Sequence, residues 1–421
     1  MDPIARVGKL SHTVAKGSTA LVTEYPLSIL RQAFASPLAV TAVLFFCALL
    51  LAEGAVRAIR VPRIAALILA GALLGWWRKN LPAADQMPVP ATLLEALAMV
   101  LLFEVGQRVP LEWIRSNPWL LLASIGETAS AFCLIFVVLA YGFGLPLIEC
   151  GFVGVICMAA SPIVIMSVSK DLRARGQVAE RALLFSTLSS VYAALAMQLL
   201  TTAYLAAAHA KPSVVLQPVF QLLGSFVLGS VAAGALRLYA VGTRAHGAVL
   251  TIGVICLCVL LFACAPPLGL SPILSALFFG LAVRVTDRSH RLLAYQSSET
   301  GAVLTLGYFI LLGASFVRPD SGKVAAIAAA LVVVRALAKV ATNALLAGST
   351  ALHPRKGALV GLALSPLSSL ALTLAAGLSG HAGLEQAAQT ATAVVMVMAI
   401  FGPLMTEVAL RLAGEPTRHE P

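Results

Sequence analysis

Apolar residues run along this chain in blocks of about 18 or more, long enough to cross a hydrocarbon layer roughly 30 Å thick as a helix. The pattern predicts thirteen membrane-spanning helices, near residues 38–56, 62–77, 91–108, 118–140, 150–168, 182–207, 214–236, 246–264, 271–285, 300–317, 324–347, 357–379 and 386–411. Short polar or Gly/Pro-containing connections separate them and leave no room for a large soluble domain. Residues 1–36 differ: Arg6, Lys9, Lys16 and Arg31 are scattered among apolar positions, with no continuous apolar stretch before a small-residue cleavage site. That segment is expected to lie in the membrane interface and not to act as a signal peptide. Residues 413–421 read as a short tail.

Composition agrees with the pattern. Of 421 residues, 60% are hydrophobic and only 11% charged, and the mean hydropathy is +0.94, which excludes a soluble globular or a disordered chain. The net charge of +11 would raise nucleic-acid binding in a soluble protein. Here it follows the topology, and without an aromatic-basic stripe no nucleic-acid partner is expected. Arg57, Arg60, Arg63, Lys170, Arg173, Arg175, Arg355 and Lys356 fall in alternate connections, while the other connections hold only Arg78, Lys79, Lys211, Arg318 and Lys323. The positive-inside rule then puts the N-terminus outside and the C-terminus in the cytoplasm of a cell membrane, the inner one in a bacterium. The seven cysteines are odd in number, and Cys256 and Cys258 have the wrong spacing for a CxxC site, so no disulfide framework, metal or cofactor is expected.

Two apolar runs are interrupted by a Ser-Pro pair: MAASPIVIMSVS, with Ser161 and Pro162, and LALSPLSSLALT, with Ser365 and Pro366. Proline frees a carbonyl, which lipid tolerates only where another group satisfies it. The breaks fall in the fifth and twelfth spans. A separation of seven spans reverses orientation, so residues 37–207 and 245–412 are expected to be inverted repeats joined by a seventh helix within 208–244. Matched interruptions in two halves point to a transporter's midplane site.

With these breaks in place, the chain resembles the monovalent cation:proton antiporter superfamily, which includes sodium/proton exchangers and Kef-type transporters. VPRIAALILAGALLG (61–75), LLFEVGQRVPL (101–111), AASPIVIMSVSKDL (159–172), GLSPILSALFFGLAV (269–283), LGYFILLGASF (306–316) and VVRALAKVATNALLA (333–347) follow its patterns in order over roughly 38–411. The resemblance implies an all-α, antiporter-like fold, a homodimer, and a core bundle carrying both breaks that moves in an elevator-like way. It implies competitive binding of a monovalent cation, sodium or potassium, and a proton at adjacent acidic positions on the helix after the first break. In this chain Ser189 and Ser190 stand at those positions, and PLSSLAL, with Ser368 and Ser369, stands where exchangers often carry Arg and Glu. Lys339 matches a lysine that many members have. The candidate binding set is therefore Ser161, Pro162, Ser186, Ser189, Ser190, Ser365, Ser368 and Ser369, with close helix packing the alternative for the Ser186 face.

Serine does not titrate near working pH, so proton exchange needs another ionisable group inside the membrane. Glu127 lies about nine residues into the fourth span, roughly 13 Å deep. Arg335 and Lys339 sit one turn apart on the eleventh, and their mutual repulsion calls for an acidic partner. We expect Glu127 to pair with one of them and to replace the missing carboxylates; a purely structural ion network is the alternative. Glu104, nearer the cytoplasmic end of the third span, is expected to pair with Arg108, four residues on, with a proton or charge-compensating role as the alternative. Gly71 and Gly75 form a GxxxG packing face. GLSG, with Ser379, imitates a serine-protease motif, but the histidines fall in loops, tails or, for His246, at the very edge of a span, and HExxH is missing, so no enzyme is expected. Cation:proton antiport is the leading reading; carriage of an organic anion, or a sensor derived from a carrier, are the alternatives.

Overall fold

The computed structural model of the chain describes residues 37–59, 62–78, 91–109, 116–209, 217–243, 248–287, 299–315, 322–367, 369–378 and 383–416. The 1–36 segment, Ser368 and Ser379 lie outside the described residues.

In hydrocarbon no water satisfies backbone N–H and C=O groups, so each apolar block closes its own hydrogen bonds as a helix. In chain order these are α1 (Pro37–Ile59), α2 (Arg63–Arg78), α3 (Ala91–Arg108), α4 (Pro118–Val137), α5 (Leu147–Met158), α6 (Pro162–Asp171), α7 (Gln177–His209), α8 (Gln217–Thr243), α9 (Ala248–Cys264), α10 (Pro272–Thr286), α11 (Glu299–Ala314), α12 (Gly322–Leu345), α13 (Pro354–Ala363), α14 (Ser369–Leu378) and α15 (Glu385–Leu412). The fifth predicted block is split into α5 and α6 and the twelfth into α13 and α14, at the Ser-Pro pairs; the other blocks are one helix each. Boundaries move most at the end of α8, which runs to Thr243 instead of 236, and at the start of α7, which begins at Gln177 instead of 182. Its first turn protrudes beyond the apolar run, and Glu180 there complements the positive helix start. Among the described residues, seven segments are long and apolar enough to span a membrane, with four shorter apolar helices beside them. α3 falls short on charge, because Glu95, Glu104 and Arg108 lie within its eighteen residues, and α13 and α14 fall short on length.

Packing divides the helices into two bundles. In the first, α1 lies on α2, α2 on α11, α3 on α9, α10 and α11, and α8 on α9 and α10. In the second, α4 lies on α5, α7 and α12; α12 on α13 and α15; and α15 on α5, α6, α13 and α14. The bundles meet where α2 touches α6 and α15, α3 touches α6, and α7 touches α8.

The closest approaches are reciprocal and made by glycine. A Cβ on Gly71 of α2 would lie 2.2 Å from the Ile310 carbonyl oxygen, and one on Gly313 of α11 would lie 2.1 Å from that of Ile68. Between α3 and α10, a Cβ added to Gly106 would run into the Leu277 carbonyl oxygen and one added to Gly280 into that of Phe103. The second span thus pairs with the tenth and the third with the ninth, the exchange expected of repeats with opposed orientation. Lipid provides no hydrophobic drive between helices, so such backbone contact carries their association. The GxxxG face packs as expected, with Gly75 against Ala314.

Gly280→Ala is expected to lower the unfolding free energy of detergent-solubilised protein by about 1–3 kcal/mol, the usual cost of overpacking. Gly234→Ala, where an added Cβ meets nothing within 4 Å, should leave it unchanged. Thermal unfolding of the two variants makes the comparison.

Candidate functional site

The two breaks meet inside the second bundle. Ser161 leaves the helical region (φ −91°, ψ 103°), and its Oγ accepts from Val164 N at 3.3 Å, capping α6, whose first residue is Pro162. Capping by serine and a proline with preset φ are what start a helix cleanly. The Ser161 N–H donates across to Pro366 O at 2.8 Å, so the backbones of the two interruptions are directly bonded. The Ser365 hydroxyl turns back to Leu362 O at 2.7 Å.

Ending α5 and α13 in the protein interior strands their last carbonyls, and one side chain collects four of them. Arg335 of α12 is fully buried. Its Nε donates to Cys157 O at 2.7 Å and its Nη2 to Ala159 O at 2.6 Å and Leu364 O at 3.1 Å, while Nη1 donates to Ser365 O. Arg335 also sits at the negative dipole ends of both half-helices, where a cation is favoured. Its planar fork of donors suits this task better than an ammonium.

Hydroxyls from the last helix of each half complete the accounting. Ser190 of α7 donates to Ala160 O at 3.0 Å, and Thr406 of α15 donates to Ala363 O at 3.0 Å. Ser189 Oγ accepts from Ala160 N at 3.1 Å and donates to Ser186 O at 3.0 Å; Ser186 in turn bonds Leu183 O. The structure therefore brings Ser161, Pro162, Ser189, Ser190 and Ser365 together around the breaks, with each serine hydroxyl among them bonded to backbone. Ser186 stays on its own helix. Ser369 opens α14, and Ser368 lies outside the described residues.

Charge chemistry lies one turn along α12. Lys339 Nζ is 2.8 Å from Glu127 Oε2, and both side chains are fully buried. Of the two cations expected to compete for Glu127, Lys339 has it, because Arg335 is committed to carbonyls. α4 and α12 run antiparallel here, with Gly126 against Leu346 and Ser130 bonded to Thr342 at 2.7 Å. Thr128 donates to Glu127 Oε1 at 3.1 Å and to Ser124 O at 2.8 Å. The buried hydroxyls of Ser124 and Tyr192 neighbour each other beside Glu127, and neither makes a hydrogen bond of good geometry. Glu127 thus stands in a cluster of oxygens: its own carboxylate, Ser124, Thr128 and Tyr192. Ser124 lies one turn before Glu127 on α4 and Thr128 follows it directly, whereas nothing in the sequence says that Tyr192 of α7 turns toward them. Asn343 donates to Lys339 O at 2.9 Å and not to the pair.

Glu104 is 2% exposed and pairs with Lys170 of α6; the Arg108 side chain, expected beside it, lies outside the described residues. The contact between α3 and α6, which sequence spacing cannot see, brings the Lys170 ammonium to Glu104.

The transmembrane sodium/hydrogen exchanger family model matches residues 41–412. The chain belongs to that family. No curated protein sequence matches this exchanger-family member. Its fold is similar to that of the sodium proton antiporter MjNhaP1 from Methanocaldococcus jannaschii at pH 8, with 14% identity over 89% of this chain and 95% of that one and a TM-score of 0.65. An electron-microscopy map of the same antiporter gives 15% identity over 99% and 100% of the chains and a TM-score of 0.64. At that identity the likeness is one of fold. The family member described here is thus an all-helical, multi-pass membrane protein with two crossed, interrupted helices.

Arg335→Lys is expected to lose about 2–5 kcal/mol of stability, since a single ammonium leaves some of the four buried carbonyls unpaired at roughly 1–3 kcal/mol each. Thermal unfolding in detergent, with Arg335→Met as the more severe comparison, reads the effect.

Proposed function

We propose that this chain exchanges a monovalent cation, sodium or potassium, for protons across a cell membrane, and that the Glu127–Lys339 pair performs the exchange. Membership of the sodium/hydrogen exchanger family supports the reaction class. The observation that carries the site assignment is the fully buried ion pair at 2.8 Å, one turn from the crossing of the breaks. An arginine keeps its proton whereas a lysine can release one, so Lys339 and not Arg335 is the proton carrier. With Lys339 protonated, its ammonium satisfies Glu127. When Lys339 gives up that proton, a partly dehydrated cation takes the ammonium's place on the Glu127 carboxylate, with oxygens of Ser124, Thr128 and Tyr192 as further ligands. The net charge of the site is the same in both states, which makes proton and cation mutually exclusive.

In this reading the serines at 189 and 190 hold the broken backbone in shape, and the acidic function has moved from α7 to α4. The α4–α7 and α12–α15 bundle moves against the α1–α3 and α8–α11 bundle to face each side in turn, in a homodimer with its N-terminus outside and its C-terminus in the cytoplasm. The organic-anion reading calls for an unpaired basic group, and both Arg335 and Lys339 are engaged.

Proteoliposomes carrying a pH-sensitive dye test this. Sodium or potassium added to wild type is expected to drive proton movement. Lys339→Ala and Glu127→Gln should each lower it at least about tenfold. Lys339→Arg keeps the charge pair but cannot release its proton, and should fold normally while losing exchange to a similar degree. Full exchange in folded Lys339→Arg would make the pair structural.

A further inference from the structure

Charged side chains join the two bundles at the end of α6. Glu104, on α3 of the first bundle and 2% exposed, pairs with Lys170 on the last turn of α6 in the second. The adjacent Asp171 has the opposite sign and lies within electrostatic reach of Arg63 at the start of α2, again across the boundary, without closing an ion pair with it, and Glu407 of α15 and Lys170 are its other charged neighbours. Arg63 is itself anchored in the first bundle by Glu53 of α1 at 3.2 Å. Glu407 is bonded along its own helix to Arg411 at 2.6 Å. The Glu127–Lys339, Glu53–Arg63 and Glu407–Arg411 pairs each stay within one bundle, whereas Lys170 and Asp171 reach out of theirs.

We propose that Lys170 and Asp171 form a two-charge clasp that locks the bundles in the conformation described, and that opening it is a required step of the movement between conformations. The inference rests on the reading above that one bundle moves against the other. Its physical basis is the geometry of α6. This half-helix begins at the break and ends at the clasp, only ten residues away, so it ties the crossing rigidly to the boundary. Displacement of α6 along α3 separates Lys170 from Glu104 and Asp171 from Arg63 together. Glu104 is buried, and parting it from the ammonium of Lys170 exposes a cost that a surface pair would not have. Opposite signs at adjacent positions also set register, because a slipped α6 would put Lys170 toward Arg63 and Asp171 toward Glu104. The clasp is thus a device of specificity as well as strength.

The test measures the bundles' separation directly. Spin labels are placed at Leu73 of α2 and Tyr141, just past α4, which are 58% and 84% exposed, after replacing the seven native cysteines and diluting labelled with unlabelled protein. Pulsed EPR of the wild type in lipid nanodiscs should show one dominant distance. Glu104→Gln and Lys170→Gln should each raise the share of a second distance about tenfold, and the exchange Glu104→Lys with Lys170→Glu should restore the first. Single variants with the wild-type distribution overturn the clasp. If either single variant fails to fold, Asp171→Asn, at the helix end, takes its place: a shifted distribution is expected, and an unchanged one overturns the proposal. Proton movement is recorded on the same preparations. Shifted distances without cation-driven proton movement keep the clasp and sink the exchange reading, while unshifted distances with intact exchange sink the clasp alone.

Discussion

Backbone carbonyls that lose their helix partners in the middle of a membrane protein have to be bonded by something else, and the second bundle is organised around that demand. Each unsatisfied group costs several kcal/mol in hydrocarbon. Arg335 meets four such carbonyls from two helices with one side chain, Ser190 and Thr406 meet one each, and Ser161 N bonds Pro366 O. The serines around the breaks are therefore occupied by backbone, and the positive charge favoured at two converging helix ends is supplied permanently by a guanidinium.

A permanent charge at the crossing changes what is left for chemistry. One turn from it, Lys339 faces Glu127, and the two neutralise each other out of contact with water. The division of labour follows from the side chains: arginine offers a rigid fork of donors and keeps its proton, while lysine offers a point charge that can be given up. Two cations four residues apart are tolerated because their partners differ, carbonyls for one and a carboxylate for the other.

The packing between and within bundles is of different kinds. Within the first bundle, glycines bring α2 onto α11 and α3 onto α10 at backbone contact, where any added side chain would force the helices apart. Between bundles the contacts are fewer and include charged side chains at α6. Backbone-to-backbone contact has one geometry, whereas long side chains can part and meet again.

Much of the fold was legible in order and spacing alone. Thirteen apolar blocks, the two Ser-Pro breaks seven blocks apart and the GxxxG face of α2 follow from local rules: the length needed to cross a bilayer, the missing N–H of proline, and the small size of glycine. The buried ionisable residues were equally visible, because a charge in an apolar run is conspicuous, and the need of Arg335 and Lys339 for partners follows from their repulsion. Which partner each takes was decided only in three dimensions. Glu127 could have met either cation, and the stranded carbonyls of α5 and α13 claimed Arg335 first. Ser189 and Ser190 read as ligands by position, and the crossing turned their hydroxyls to Ala160. Tyr192 beside Glu127 and Lys170 against Glu104 have no sequence signal at all, since each contact joins helices whose rotation and depth are set by all their neighbours together. The chain by itself determined which groups had to be satisfied; the tertiary structure, by choosing what lies within reach, decided what satisfies them.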